Sequence, residues 1–163
     1  MIAAMLLAFG LVSLTFLFHY RVLLWLGSRG PRLGLSTQAL VLVIVVTLFL
    51  VHIAEIGIYA FTYGMSVSFL DLGVFEGAAV TDAMSFLYYS GVIYTTLGLG
   101  DIEPQGHIRF ITAMEALSGF LLITWSASFT FLAMGRLWPW ENHCATSIQH
   151  VDVTLVTEKG EKQ

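Results

Sequence analysis

Three apolar stretches set the limits on what this chain of 163 residues can fold into. Residues 1–20 hold no Lys, Arg, Asp or Glu. Neither do residues 33–54, beyond which the apolar run continues past Glu55 to Tyr63. From Phe110 to Gly135 the only such residue is Glu115. Crossing a bilayer takes about 20 predominantly apolar residues, and each stretch meets that length. A soluble domain carries charge on roughly a quarter of its residues; here the fraction is 11%, with 57% hydrophobic. The chain therefore reads as an all-α integral membrane protein with three spanning helices. No basic residue precedes the first apolar run, which is also longer than a secretory leader's core, so that segment is expected to stay as an anchor. Cys144 stands alone, which leaves no internal disulfide framework.

The first helix is expected over Ile2–Leu26, stopped by the turn cluster Gly27-Ser28-Arg29-Gly30-Pro31. A second should start at Ser36 or Thr37, either of which can cap it, and run to Tyr63. Residues 64–80 read as an irregular loop rich in Gly and acids. Pro104 and Gly106 return the chain to the surface before a third spanning helix over Ile108–Leu137. This divides the chain into an N-terminal helix and loop (1–35), a central module (36–138) and a short polar tail (139–163). Arg21, Arg29 and Arg32 flank the first loop, and Arg136, Lys159 and Lys162 come after the third helix. Residues 64–107 instead hold Asp71, Glu76, Asp82, Asp101 and Glu103, with no Lys or Arg. Basic flanks mark the cytoplasmic side. The N-terminus and the acidic segment are therefore expected outside, and the tail inside.

Within the acidic segment, Thr81 reads as the N-cap of a short helix over Asp82–Tyr94, with Asp82 beside the positive helix end. About 13 residues rise about 20 Å, too little to span. A helix that enters and stops halfway is re-entrant, and irregular backbone at that depth is tolerated only where it is buried in protein or lines water. Directly after this helix comes the string Thr95-Thr96-Leu97-Gly98-Leu99-Gly100-Asp101. Glycines at alternate positions admit left-handed backbone at no Cβ cost. Such a string can turn its carbonyls toward one axis, where they replace the water shell of a dehydrated K⁺ ion. The Thr96 hydroxyl would add one more oxygen layer. The carbonyl end of the short helix would place partial negative charge where the cation rests.

The block from Phe86 to Trp138 resembles the pore module of the potassium-channel superfamily. Tyr88-Tyr89-Ser90 is similar to the family's paired aromatics, and Thr95 through Pro104 to its TTVGYGD-x-x-P signature. The whole chain also resembles a group of small bacterial ion-channel-like proteins with one extra helix before the pore module. In that group His and Glu recur in the outer helix, as His52 and Glu55 do here. The resemblance implies a passive K⁺-selective channel of the bacterial inner membrane. It also implies a homotetramer, each subunit giving one filter segment to a fourfold pore.

By position, Thr96, Leu97, Gly98 and Leu99 would supply the K⁺-coordinating oxygens. Gly100 would form the outer turn, Asp101 would sit behind the mouth within reach of Tyr88, and Tyr89 would support the filter. Gly119 falls at or one residue before the family's inner-helix hinge. Phe120, Ile123, Ala127 and Phe131 share one helical face by their spacing and would line the cavity, with Thr124 and Ser128 extending that face. Two positions depart from the family pattern. Leu99 replaces the usual Tyr or Phe, which keeps the carbonyl but removes the bracing phenol; a GLG filter resembles one of the two filters in some two-pore-domain potassium channels. Val92 stands where some members have a buried acid. Both bear on K⁺ over Na⁺ discrimination more than on conduction.

His52, Glu55 and Tyr59 share a face of the second helix. A charge at the bilayer centre costs roughly 2.5–3.5 kcal/mol on insertion scales, so these side chains should face protein. Two readings of His52 and Glu55 stay open: a satisfied polar contact, or a pH- or cation-sensitive brace behind the filter. Glu115 is expected to pair behind the short helix, a cavity-facing charge being the other reading, and joins His52 and Glu55 as a candidate modulatory residue. His143, Cys144 and His150 fit no zinc spacing, and Trp138 and Trp140 read as interfacial anchors. The first helix has no regular Arg repeat and so is not a voltage sensor of the familiar kind. Phe131 could form a constriction that closes by dewetting. Expected partners are further copies of the chain, lipid and K⁺, with no nucleic acid, no cofactor beyond the permeant ion and no bond chemistry. The alternatives are a weakly selective monovalent cation channel and a non-conducting membrane interaction subunit with a pore-like fold.

Overall fold

The computed structural model describes residues 1–77, 80 and 82–137. Thr81 lies outside the described residues, as do Trp138, Trp140, His143, Cys144 and His150 of the tail. Helix α1 spans Ile2–Arg29 and passes into a 3-10 turn over Gly30–Leu33; α2 spans Thr37–Ser68, α3 Ala83–Tyr94 and α4 Ile108–Leu137. Strands β1 (Phe75–Gly77) and β2 (Ile102–Pro104) pair antiparallel, with Phe75 opposite Pro104 and Gly77 opposite Ile102. Helices α1, α2 and α4 are each long and apolar enough to cross a membrane. At 12 residues α3 is not.

Two boundaries and one loop differ from the sequence expectation. The cluster from Gly27 to Pro31 does not stop α1 at Leu26: the Gly30 N–H closes on the Leu26 carbonyl, and the buried Leu26 keeps the helix packed. Pro31 falls in the first turn of the 3-10 segment, where its missing N–H is not needed. Likewise α2 runs on through Gly64 to Ser68. Gly64 faces the Phe86 ring of α3, and the buried Tyr63 and Ser66 on either side keep the helix packed despite the cost of glycine, about 1 kcal/mol. Nor is the loop after it wholly irregular. Phe75 sets its ring against Tyr63, Phe86 and Tyr89, and β1, which it opens, pairs with β2 beyond the 95–101 loop. The start of α3 is capped by Asp82, whose carboxylate accepts from the Ser85 amide at 3.0 Å and from the Ser85 hydroxyl. Those two bonds, the hydroxyl first, hold the Asp82 carboxyl below its ordinary pKa.

Two buried clusters fix the arrangement of the long helices. At one end Ala4 and Ala8 of α1 pack with Tyr59 and Tyr63 of α2, Tyr89 of α3, and Ile108 and Ile111 of α4. At the other end Leu23 and Leu26 pack with Leu40, Ile44 and Leu48, backed by Phe129 and Ala133. Thus α1 and α4 run parallel and α2 runs antiparallel to both. The short α3 enters from the first end and stops between α2 and α4.

Gly119 decides how closely α3 and α4 approach. A Cβ there would lie 2.2 Å from the Tyr94 carbonyl oxygen, a backbone atom that cannot swing away. Small residues at helix crossings in lipid serve this purpose. We expect Gly119→Ala to destabilise the fold by about 1–3 kcal/mol through overpacking. Gly135→Ala, whose Cβ meets nothing within 4 Å, should cost nothing; thermal unfolding in detergent compares the two.

Candidate functional site

The last turn of α3 delivers the chain into the segment from Thr95 to Asp101. The Thr95 amide bonds to Gly91 O at 3.2 Å, the Thr96 amide to Ile93 O at 2.8 Å, and the Leu97 and Gly98 amides to Val92 O at 3.0 and 3.3 Å. The Thr95 hydroxyl adds a bond to Gly91 O at 2.7 Å. The carbonyls of Gly91, Val92 and Ile93 are thereby used, and so are the first amides of the loop. Among the described residues no hydrogen bond ends on a carbonyl of residues 96–100.

Thr96, Gly98 and Gly100 have φ of 59°, 55° and 75°, whereas Leu97 and Leu99 stay on the negative side. Alternating hand of this kind turns each peptide plane over, so successive carbonyls point to one side instead of opposite sides. Glycine accepts the left-handed region freely. Thr96, a β-branched residue, does not, and holding it there costs roughly 1–3 kcal/mol. A row of carbonyl oxygens without partners among the described residues is a donor set for a bare, hard cation.

Tyr88 donates to Asp101 Oδ2 at 2.8 Å, tying the middle of α3 to the far end of the loop. That bond raises the Tyr88 phenol above its ordinary pKa, so it keeps its hydrogen through neutral pH. Tyr89 points away from the loop. It is buried, meets Tyr63 and Phe75 edge to face, and bonds Thr112 of α4 at 2.9 Å.

Two buried carboxyl groups secure α3 from behind. Glu115 takes the Tyr63 hydroxyl at one oxygen and the Ser90 hydroxyl at the other, the latter at 2.5 Å. Glu55 takes the Tyr94 hydroxyl at 2.5 Å. It also meets His19 Nδ1 at 3.0 Å through Oε1 and His52 Nδ1 at 3.1 Å through Oε2. Tyr59, on the same face as His52 and Glu55, bonds Ser118 at 2.8 Å.

On α4 the buried face is Ile108, Ile111, Glu115, Ser118, Gly119, Leu122 and Ser126. Phe120, Ile123, Thr124, Ala127, Ser128 and Phe131 lie on the opposite, exposed face. The hydroxyls of Thr124 and Ser128 bond back to Phe120 O and Thr124 O of their own helix, at 3.0 and 2.9 Å. They present methyl or methylene surface rather than free donors. Gly119 sits in unbroken helix and acts as the seat of the Tyr94 carbonyl.

Sequence reasoning passed over His19, Tyr94, Ser126, Tyr63 and Ser90. His19 carried a usable signal, since an ionisable side chain inside an apolar span is a site hypothesis in its own right. Tyr94 could have been noticed as the buried residue directly before the loop. Ser126 carried none, because a serine in a membrane helix usually bonds its own backbone.

No curated protein and no solved structure matches the chain. A family model described as ion channel matches residues 39–135. The match takes in α2, α3, the 95–101 loop and nearly all of α4, and leaves α1 outside. Spanning helices, a half-length helix and a loop of unpaired carbonyls thus coincide with the matched residues: the chain belongs to this ion channel family.

Proposed function

We propose that the protein is a passive K⁺-selective channel in which four copies set their 95–101 loops around one axis. One observation carries this reading: residues 96, 98 and 100 are left-handed while 97 and 99 are not, and the loop carbonyls have no partner among the described residues. Carbonyl oxygens of Thr96, Leu97, Gly98 and Leu99 would replace the hydration shell of K⁺. One loop per chain cannot close a ring, so a closed cyclic assembly is required. Leu97 and Leu99 are 64% and 57% exposed in the single chain, and apolar residues of the outer face of α4 are exposed with them. Neighbouring copies would cover this surface. The basic residues after α1 and α4 favour a cytoplasmic placement of those ends, in a bacterial inner membrane, with the loop outside.

Leu99 has no phenol to tie into surrounding side chains, which favours a second reading, a weakly selective monovalent cation pore. Reconstitution in liposomes separates the two. K⁺ flux with a reversal potential near the K⁺ value is expected; equal K⁺ and Na⁺ permeability would establish the weaker selectivity, and no flux of either would leave a non-conducting interaction subunit. Gly98→Ala meets no atom within 4 Å in the single chain but must hold φ of 55°, a left-handed strain of about 1–2 kcal/mol. We expect it to leave folding intact and to lower K⁺ flux about tenfold or more.

Native mass measurement of the purified protein should give four chains; only monomers and dimers would count against the fourfold pore. Phe131, 76% exposed near the end of α4, is expected to narrow the inner mouth. Phe131→Ser should raise resting conductance, measured in planar bilayers, by relieving a hydrophobic constriction.

A further inference from the structure

His19 of α1 and His52 and Glu55 of α2 meet near the middle of the spanning helices. One ligand atom from each lies within 4.8 Å of the others. Both Nδ1 atoms face the carboxylate, at 3.0 and 3.1 Å. Tyr94 Oη stands 2.9 Å from His52 Nδ1. On the far edge of the rings both Nε2 atoms converge on a single oxygen, Ser126 Oγ, at 3.1 Å from His19 and 3.0 Å from His52. Trp125 lies against the His19 ring, and the two imidazoles lie against one another with centroids 5.3 Å apart. His19 and Glu55 are fully buried.

With both imidazoles neutral and Glu55 ionised, the cluster is one hydrogen short. A neutral imidazole brings a single N–H. With both Nδ1–H groups spent on Glu55, both Nε2 atoms are acceptors, and Ser126 has one hydrogen to share between them. One nitrogen lone pair is then left facing an oxygen lone pair in a buried site, where an unsatisfied group is costly. One more proton on an imidazole removes the conflict, and so does a cation that takes both Nδ1 lone pairs. Each ring then carries Nε2–H, and the two lone pairs of Ser126 Oγ accept both, the outer-shell support that metal-bound histidines usually have.

We propose that His19, His52 and Glu55, with Tyr94 at the fourth corner, form an intramembrane binding site for a divalent transition cation of the zinc type. Two imidazoles and a carboxylate are the donor set such an ion takes. Tetrahedral bonds of about 2.0–2.1 Å set ligand atoms about 3.3 Å apart, a few tenths of an ångström beyond the two histidine–carboxylate spacings, and the whole donor set lies within 4.8 Å. The bound ion would clamp α1, α2 and the last residue of α3 together, directly behind the start of the 95–101 loop.

The test reads metal rather than current, so its outcome is independent of the conduction reading. Full-length protein in lipid nanodiscs carries His143→Ala, Cys144→Ser and His150→Ala to silence donors in the tail, and is dialysed against zinc alone. One zinc per chain is expected, along with a zinc-dependent rise in melting temperature and, with cobalt in its place, the visible bands of a four-coordinate N/O site. Adding His19→Ala or His52→Ala should weaken zinc binding at least about tenfold, and His107→Ala should not. Substoichiometric zinc on monodisperse protein, or equal binding by the His19 and His52 variants, would overturn the proposal. Should those variants fail to fold, imidazole ¹⁵N spectra of the tail-silenced protein decide it. Zinc must shift Nδ1 of two rings, and unshifted rings would sink the site.

Discussion

A helix that ends inside a bilayer must be held there by something other than water, and here the Tyr94 hydroxyl on Glu55, at 2.5 Å, does much of that holding. Tyr94 is the last residue of α3, so its side chain anchors the end of the helix while its carbonyl rests on Gly119. The loop starts at the next residue. Its left-handed Thr96 is strained, and such a conformation persists only where the surrounding structure over-determines it. Moving Glu55 would therefore release the base of the loop as well as its bonds to His19, His52 and Tyr94.

The solvent explains why so apolar a chain keeps polar knots at its centre. Lipid tails are as apolar as leucine, so burial alone does not bring spanning helices together. Association rests on close packing at small residues and on hydrogen bonds between helices. Both are present: Ala4, Ala8 and Gly119 lie buried at helix contacts, while Glu55 and Glu115 each gather hydroxyls or imidazoles from several helices. Removing one partner from such a knot strands a buried polar group, which costs more than the pair contributes. The knots thus specify one arrangement of α1, α2, α3 and α4 more than they add to stability.

The extra N-terminal helix is part of that arrangement. It runs parallel to α4 and sends His19 between α2 and Ser126. Without α1, Glu55 would keep His52 and Tyr94 but lose its contact at Oε1. The helix lies outside the residues that carry the family likeness, yet it completes the polar cluster behind the loop.

The amino-acid sequence alone was enough for the three spans, the half-length helix and the glycine-spaced loop, because these depend on local quantities. Apolar run length and glycine at alternate positions can each be read without knowing what packs where, whereas the cap expected at Thr81 is supplied by Asp82. Ile108–Leu137 came out at its observed bounds for that reason. Tertiary structure decided what local patterns do not encode. Helix α2 passes through Gly64 because Tyr63 and Ser66 on either side of it are buried, and Gly119 is a seat for the Tyr94 carbonyl because α3 ends there. His19, Tyr94 and Ser126, far apart along the chain, meet around one buried cluster only once the helices have packed. Hydrogen bonds between helices depend on depth and facing, and a sequence records neither until its neighbours are in place.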